Sequence, residues 1–259
     1  MDLGIKGRMA LVCASSAGLG KACALSLARE GCAVTINGRD AARLEQAAGE
    51  ILARTGARVK FVAADLSTSD GQAALVEACP RVDILVNNNG GPPPGRLEDW
   101  GRAEFLAALE ANMLSAILLT KAFLVGMRSR KFGRIVNITS ARVKSPTPAM
   151  ALSSSARAGL TAFAKAISLE VAVDNVTINN LLPERVDTHR QDEMVDRMRK
   201  AEGVSEEEAK RRIVQTIAAR RLGDPSEFGD ACAFLCSAQA GYISGQNLQL
   251  DGGSYRGLI

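Results

Sequence analysis

The stretch "RMALVCASSAGLGKACALSLAREG", residues 8–31, decides the fold. Residues 8–14 are mostly apolar and predict a buried strand, and residues 20–31 predict a helix that ends at a glycine. Gly18 and Gly20 lie at the turn that opens this helix. The amino end of a helix offers free N–H groups and a positive dipole end, which suit a pyrophosphate, and glycine lets a ligand approach the backbone closely. The turn therefore indicates a dinucleotide site, with a plain strand-to-helix turn as the alternative.

The rest of the chain repeats this alternation of strand and helix. Strands are predicted at 32–38, 58–65, 82–88, 133–140, 176–183 and 245–253, and helices at 41–56, 69–79, 102–129, 153–173, 189–219 and 226–237. Strands this apolar do not face water, so the pattern predicts a parallel sheet that is covered by helices on both faces. We therefore expect an α/β fold: one Rossmann-type doubly wound domain over residues 1–259, with about seven strands. Ligands of such sheets bind at the carboxyl ends of the strands.

Composition narrows the class of protein. Of the 259 residues, 47% are hydrophobic and 23% are charged, and the net charge is +4, without the clustered basic face that nucleic-acid binding needs. The charged start argues against a signal peptide, and no apolar stretch is expected to span a membrane. The six cysteines form no CxxC pair, which predicts reduced, buried thiols, a cytoplasmic location and no metal site.

The end of the second predicted strand bears on the choice of cofactor. It reads Asn37-Gly38-Arg39, so an arginine is available where a carboxylate often binds the ribose of NAD. Arg39 therefore favours NADP over NAD, because a guanidinium can accommodate a 2′-phosphate. NAD stays possible, and the alternative for Arg39 is a surface arginine that pairs with the following Asp40.

Several motifs together resemble the short-chain dehydrogenase/reductase family over nearly the whole chain, with 3-oxoacyl-acyl-carrier-protein reductases as the nearest named relatives. The matching segments are residues 13–20 with the glycine motif, Asp65, Asn87-Asn88-Asn89-Gly90, Asn112, Ser140, the segment 183–188 and the closing "YISGQNLQLDGG" at 242–253. This chain departs from the family pattern at Cys13, Ala14, Asn89 and Glu184.

The resemblance implies a set of cofactor contacts. They are Ser15, Ser16, Gly18, Leu19, Gly20, Arg39, Asp65, Leu66, Asn88, Asn89, Gly90, Arg157, Pro183, Val186 and Thr188. It also implies that 188–222 is a helical substrate lid, with a surface helical pair as the alternative for this segment. A homo-oligomer, a tetramer or a dimer, is expected to form through the helices at 102–129 and 153–173. The substrate would be a small molecule with a carbonyl or an alcohol.

The family's Tyr-x-x-x-Lys pair should begin thirteen residues after Ser140, which places the tyrosine at Ser153 and the lysine at Arg157. The resemblance then gives Asn112, Ser140, Ser153 and Arg157 as the catalytic set, with an altered proton donor. A serine hydroxyl is a far weaker acid than a phenol, and arginine is effectively never deprotonated. Arg157 can still hold positive charge near an oxyanion and bind the nicotinamide ribose.

Other groups could supply the missing proton. Water held by Ser153 and Ser140 is one candidate, and His189, the only histidine, is another, although a solvent-exposed histidine is the simpler interpretation. Arg142 and Lys144 could line the substrate mouth or a solvated loop. Tyr242 and Tyr255 are expected to pack in the terminal segment.

Taken together, the motifs lead us to expect an NAD(P)-dependent oxidoreductase. The alternative is a non-catalytic nucleotide-binding pseudoenzyme that acts as a sensor or as a partner in an oligomer.

Overall fold

The computed structural model describes residues 2–258 and contains one seven-stranded sheet, in the order β3-β2-β1-β4-β5-β6-β7, with every neighbouring pair parallel. The strands are β1 (Met9–Val12), β2 (Ala33–Gly38), β3 (Lys60–Ala63), β4 (Ile84–Asn87), β5 (Gly133–Ile138), β6 (Val176–Pro183) and β7 (Asn247–Leu250). The predicted doubly wound parallel sheet of about seven strands is confirmed. The predicted strands overran the observed ones by a few residues, because apolar character continues into the loops.

Helices cover both faces of the sheet. They are α1 (Gly18–Arg29), α2 (Ala41–Thr55), α3 (Ser69–Ala78), α4 (Arg102–Leu109), α5 (Ser115–Ser129), α6 (Ala151–Val171), α7 (His189–Glu202), α8 (Glu206–Gln215) and α9 (Pro225–Cys236). One buried cluster joins α1, α2 and α9 to the sheet, and a second joins α3, α5 and α6 to its other face. The carboxyl ends of the strands are thereby left for loops, and these loops form the candidate site.

Four asparagines form a ladder of side-chain amides across the buried half of the sheet. Asn87 donates to Asn137 over 2.9 Å, Asn137 donates to Asn180 over 2.9 Å, and Asn180 donates to Asn247 over 2.8 Å. The four residues are direct neighbours in the register of β4 to β7. Because a buried amide is costly unless it is hydrogen-bonded, the ladder fixes the alignment of these strands.

The predicted helix over 102–129 is interrupted by a π turn at Glu110–Leu114, which separates α4 from α5. The expectation that no stretch is apolar and long enough to span a membrane is wrong by composition: the helical run Arg102–Ser129 contains an 18-residue window with a mean hydropathy of 1.5. The fold itself accounts for much of that apolar character. Leu119, Phe123 and Met127 of α5 are buried in the core beside the sheet.

The predicted polar helix over 189–219 is two helices, α7 and α8. Gly203 ends α7 in the left-handed conformation with a φ of 67°, and the Ser205 hydroxyl caps α8. Val195, Ala209 and Ile213 form a small core of their own between the two helices. This arrangement explains how a strongly charged segment folds beside the sheet.

All six cysteines are buried and free, as the spacing predicts. Burial raises the pKa of the Cys13 thiol to about 12 and that of Cys32 to about 12, so both stay protonated at neutral pH. Cys232 and Cys236 lie on α9 in the core between α9 and α1.

Candidate active site

The glycine-rich turn after β1 has the close backbone packing that the sequence indicates. A Cβ atom on Gly20 would lie 2.5 Å from the carbonyl oxygen of Ala14 and 2.9 Å from Cα of Ser15, so only glycine fits there. Gly18, the first residue of α1, has a φ of +56°. The N–H groups of the first turn of α1 therefore face a backbone surface without side chains, as an anionic ligand requires.

Ala14 has the backbone of a glycine. Its φ is 43°, in the left-handed region that favours glycine, and two asparagines hold it there. The side chain of Asn37 accepts from the Ala14 N–H over 3.4 Å, and the side chain of Asn88 donates to the Ala14 carbonyl over 3.1 Å. Ala14, where the family resemblance expects glycine, thus keeps a glycine-like backbone, with local strain.

The other predicted residues of this turn differ in their surroundings. Ser15 is fully buried: its hydroxyl donates to the Val12 carbonyl over 2.7 Å and its N–H donates to the Asn37 carbonyl over 2.7 Å. It shapes the turn and has no group free for a direct ligand contact. Ser16 is only partly buried and its hydroxyl lies near Gly38, whereas Leu19 packs against the core.

Arg39 is exposed at the end of β2, and within residues 2–258 it has no ion-pair partner. The alternative pairing with Asp40 is not observed, because the Asp40 carboxylate accepts from the Arg43 N–H over 3.2 Å and caps α2. Arg39 lines a cleft of about 780 Å³. Asp65 is half-buried and accepts from the Ser67 N–H over 2.9 Å, and its neighbour Leu66 is buried.

The end of β4 meets the π turn at one wall of the site. Asn112, in the π turn, donates to the carbonyl oxygen of Gly90 over 2.8 Å. Asn89 uses its side-chain oxygen to accept from the Gly90 N–H over 2.9 Å. The Asn89 amide nitrogen and the Asn112 amide oxygen are buried and have no partner within residues 2–258. Two polar groups are therefore presented to a ligand or to solvent at this wall.

Ser153 and Arg157 lie one turn apart on α6 and are in direct contact. Arg157 donates to the Ser153 hydroxyl, and Ser153 is buried. The Arg157 guanidinium lies against Gly91, where a Cβ would be 3.0 Å from both of its terminal nitrogens. It has no carboxylate partner within residues 2–258, and burial together with the charge of Arg190 lowers its pKa to about 10. At neutral pH Arg157 is therefore a partly buried, desolvated cation whose charge is not balanced by a carboxylate within residues 2–258.

Arg157 and Asn112 line a common small cavity of about 20 Å³, together with Asn87, Asn88 and Asn89. The side-chain oxygen of Asn87 is also buried and unpartnered there. This volume is enough for one water-sized polar group. Ser140 follows β5, where its hydroxyl accepts from the Arg142 N–H over 3.1 Å and caps a short 3₁₀ turn, Ala141–Val143.

The segment after β6 covers the glycine turn. The Thr188 side chain is 3.9 Å from the Cβ position of Gly18, and Val186 is buried. Pro183 is half-buried, and the Glu184 N–H donates to the Leu250 carbonyl. Gly18 and Thr188 both line a second cleft, of about 360 Å³. The two segments therefore meet at this cleft, which α1, α2 and the start of α9 also border.

Glu184 forms an ion pair with Arg142, an interaction that sequence reasoning missed. The two residues are separated by 42 positions, so no local pattern signals the pair. Without a partner, the Glu184 carboxylate would place a negative charge beside a site proposed to bind an anionic ligand. The Arg142 guanidinium neutralises it.

Three further predictions concern His189, the two tyrosines and the cations that follow Ser140. The His189 side chain is 83% exposed at the start of α7, within 4 Å of two carboxylates, which supports the simpler interpretation of a surface histidine. The expected packing role of Tyr242 is wrong, because its side chain is fully exposed. Tyr255 lies in a cleft with Arg142 and Lys144, so both cations do line a cleft beside Ser140.

A dinucleotide fits this arrangement on structural grounds. The turn at Gly20 has no room for a side chain, Gly18 and Thr188 bound a groove, and an exposed arginine stands at the end of β2. The Arg157 cation and the unpartnered amide groups of Asn89 and Asn112 lie together near Gly90 and Gly91. Fold and site together define a dinucleotide-binding α/β protein with a polar pocket at the carboxyl ends of its strands.

Comparison with known proteins agrees with this class. Residues 13–255 match the family model described as Enoyl-(Acyl carrier protein) reductase. The chain is 32% identical to the NADPH-dependent reductase BacG of Bacillus subtilis over 97% of this chain and 99% of the relative. It is 33% identical to the 3-oxoacyl-[acyl-carrier-protein] reductase FabG of Vibrio cholerae over 98% of this chain and 99% of the relative.

The structure is also similar to that of L-sorbose reductase from Gluconobacter frateurii, solved with NADPH and L-sorbose. The TM-score is 0.94 at 29% identity, and the match covers 100% of both chains. The chain belongs to the short-chain dehydrogenase/reductase family, and its class is that of an oxidoreductase.

Proposed function

We propose that the protein is an NADP(H)-dependent oxidoreductase that transfers a hydride between the nicotinamide and a carbonyl or alcohol substrate. The observation that carries the proposal is the desolvated guanidinium of Arg157, without a carboxylate partner within residues 2–258, in the small polar cavity that it shares with Asn88, Asn89 and Asn112. A buried cation without a partner is costly, and such groups cluster at functional sites.

The residues that would hold the cofactor follow the groove. The N–H groups at Gly18, Leu19 and Gly20 would bind the pyrophosphate, and Arg39 would bind the 2′-phosphate of NADP. Asp65 and Leu66 would border the adenine. The names of BacG and of the L-sorbose reductase complex support the phosphorylated cofactor, because both specify NADPH.

The inner end of the groove would hold the nicotinamide half. Asn88, Asn89 and Gly90 would border it on one side, and Pro183, Val186 and Thr188 on the other. Arg157 would donate to the ribose hydroxyls, a role that a permanently charged, multidentate donor can fill.

When bound, NADPH supplies the hydride. The protein's own contribution is to orient the substrate carbonyl with the Ser140 hydroxyl and to stabilise the negative charge on its oxygen with the Arg157 cation. Ser153 is bound to Arg157 and is too weak an acid to replace a phenol. The proton would then come from a water molecule held near Asn112 and Ser153.

The substrate class follows from the relatives and from the cleft beside Ser140. FabG is named for 3-oxoacyl groups and the Gluconobacter enzyme for a ketose, so the proposal takes in 3-oxoacyl-like carbonyls and sugars. Helices α7 and α8, within 188–222, would act as the substrate lid. Arg190 of α7 donates to the Pro92 carbonyl over 3.3 Å, across the entrance from the loop after β4.

One observation favours a second candidate function, a nucleotide-binding protein without turnover. Ser153 takes the place of the family's proton-donating tyrosine, and the Arg157 guanidinium donates to the Ser153 hydroxyl instead of activating a phenol. Such a protein would bind NADPH as a sensor or as a partner in an oligomer.

Consumption of NADPH separates the two functions. We expect slow oxidation of NADPH with acetoacetyl-coenzyme A or with L-sorbose, and a loss of about 10²- to 10³-fold in the Ser140→Ala, Arg157→Met double variant. Unchanged oxidation in that variant would contradict the roles given to Ser140 and Arg157. NADPH binding without any oxidation by the native protein would favour the sensor.

A restoring variant tests the altered proton donor. The Ser153→Tyr, Arg157→Lys double variant should oxidise NADPH about 10²- to 10⁴-fold faster than the native protein, the usual contribution of a general acid. Ser155→Tyr is the matched control, because Ser155 is exposed on the same helix. An equal gain in both variants would mean that the tyrosine acts through something other than position 153.

A homo-oligomer, a dimer or a tetramer, would form through α5 and α6. Leu118 and Val125 on α5 and Leu169 on α6 are large apolar side chains exposed to solvent, and Val173 follows just after α6. Light scattering should give a mass of two or four chains, and Val125→Glu should lower it. A native mass of one chain would refute this assembly.

The cytoplasmic location remains a prediction.

A further inference from the structure

A cleft of about 540 Å³ lies beside the candidate active site and is strongly basic. Arg142, Lys144, Arg185 and Arg256 line it, and Glu184 is the one carboxylate among its lining residues. Four cations against one carboxylate leave this lining a net charge of +3. A cleft of one sign concentrates ligands of the opposite sign.

Arg185 is the most unusual of the four cations. Its backbone has a φ of 57°, a left-handed conformation that is uncommon for a long side chain. Its Nε is buried without a partner within residues 2–258, and one terminal nitrogen faces the sulfur of Met194. Burial lowers the pKa of Arg185, which the neighbouring Glu184 partly opposes. A desolvated guanidinium in a strained backbone segment indicates a binding role more than a structural one.

The one carboxylate of the cleft is already engaged. Glu184 pairs with Arg142, so Lys144, Arg185 and Arg256 have no ion-pair partner in the part of the chain that the structure describes. The Lys144 ammonium lies 5.3 Å from the ring centre of Tyr255, a cation–π contact that holds it over the cleft. The lining is therefore prepared for an anion from outside the chain.

The cleft is connected to the proposed chemistry through the backbone. The Arg142 N–H donates to the hydroxyl of Ser140, and Glu184 directly follows Pro183. A substrate whose carbonyl reaches Ser140 would have the remainder of its chain within reach of this cleft.

We propose that this cleft binds an anionic group of the substrate, a carboxylate or a phosphate, with Arg185 as the principal contact and Lys144 as the second. The proposal rests on the proposed function and adds the class of substrate: a carbonyl compound that carries a terminal anion. A guanidinium binds either anion through two parallel hydrogen bonds, so the shared chemistry is that of a planar or tetrahedral oxyanion.

Two matched pairs of ketones test the proposal. Levulinate is compared with methyl levulinate, and dihydroxyacetone phosphate with dihydroxyacetone, by calorimetric titration of the free protein and of the NADP⁺-loaded protein. The anionic member of at least one pair should bind about 10- to 100-fold more tightly, and higher salt should weaken it. The pair with the larger difference identifies the anion as carboxylate or phosphate.

Variants assign the contact to the cleft. Arg185→Asn keeps a residue that tolerates the left-handed backbone and should remove most of the preference for the anion, whereas Arg185→Lys should keep part of it. Arg221→Ala is the control, because Arg221 pairs with Glu227 over 2.6 Å outside this cleft and should leave the preference unchanged. The NADP⁺ affinity of each variant confirms that it is folded.

The outcomes separate the two proposals. Equal binding of both members of each pair, or an undiminished preference for the anion in Arg185→Asn, would refute the proposal that this cleft binds an anion. If the protein still binds NADP⁺ in that case, the proposed oxidoreductase function stands. Failure to bind NADP⁺ would count against the oxidoreductase, and the titration of the free protein would still decide whether the cleft binds anions.

Discussion

Replacing Arg157 by methionine should make the cofactor-free protein more stable and its cofactor binding weaker. Arg157 is a partly buried cation without a carboxylate partner within residues 2–258, and desolvation lowers its pKa to about 10, well below the ordinary value of arginine. The unfolded chain holds this proton more tightly than the folded one. The group therefore reduces stability at every pH below about 10, and the penalty disappears only as the pH rises beyond that value.

The size of the effect follows from the pKa. A fall of this size corresponds to about 3 kcal/mol. The loss of the hydrogen bond to Ser153 returns about 1 kcal/mol, and methionine fills the space of the aliphatic stem. The net gain should be about 2 kcal/mol, or about 4–8 °C in Tm for a chain of this length.

Thermal unfolding at neutral pH, without cofactor, measures the change. Lys165→Met is the matched control: it removes a positive charge from an exposed position on the same helix and should shift the free energy of unfolding by less than about 0.5 kcal/mol. A lower Tm in Arg157→Met would refute the reasoning, because the guanidinium would then stabilise the fold. An unchanged NADPH affinity would remove Arg157 from the cofactor site.

Three further predictions concern the glycine-rich turn after β1, the choice of cofactor and the asparagine ladder of the sheet. Gly20→Ala should weaken NADPH binding by at least about tenfold in calorimetry, because its Cβ would lie 2.5 Å from a backbone carbonyl oxygen. Gly49→Ala is the control: its Cβ would have nothing within 4 Å, and the change should add about 0.5–1 kcal/mol to the free energy of unfolding. Arg39→Ala should weaken the binding of NADPH by about tenfold and leave the binding of NADH nearly unchanged, with Arg43→Ala as the control. Equal losses of affinity for both cofactors would contradict a contact of Arg39 with the 2′-phosphate. Asn137→Ala should cost about 2–4 kcal/mol in urea unfolding, since it breaks the middle of the asparagine ladder, and a cost below about 1 kcal/mol would show that the ladder adds little.

The sequence predicted the sheet well because its signal is local. Buried parallel strands are continuous apolar runs, and glycines and caps mark where helices begin and end. The π turn at Glu110–Leu114 was missed, since a one-residue widening leaves the apolar pattern of the helix unchanged. A helical pair was one of the two interpretations of the segment after β6, but the position of the break at Gly203 was not predicted, because both flanking helices are strongly charged.

The site was predicted less completely because its contacts are long-range or compete locally. Asp40 had two possible partners, Arg39 and the amino end of α2, and its carboxylate accepts from the Arg43 N–H at the helix end. Ser15 belonged to a ligand motif by position, yet the register of β1 and β2 directs its hydroxyl into the sheet. The ion pair of Arg142 with Glu184 depends on two loops that meet only in the folded chain.

The central claim is that the glycine turn and Arg39 bind NADPH, and calorimetric titration of the native protein with NADPH and with NADH tests it most directly. The account predicts micromolar binding of NADPH and binding of NADH that is at least about tenfold weaker. Stronger binding of NADH would contradict the role of Arg39. Binding of neither cofactor would contradict the proposed oxidoreductase function, despite the glycine-rich turn at Gly18 and Gly20.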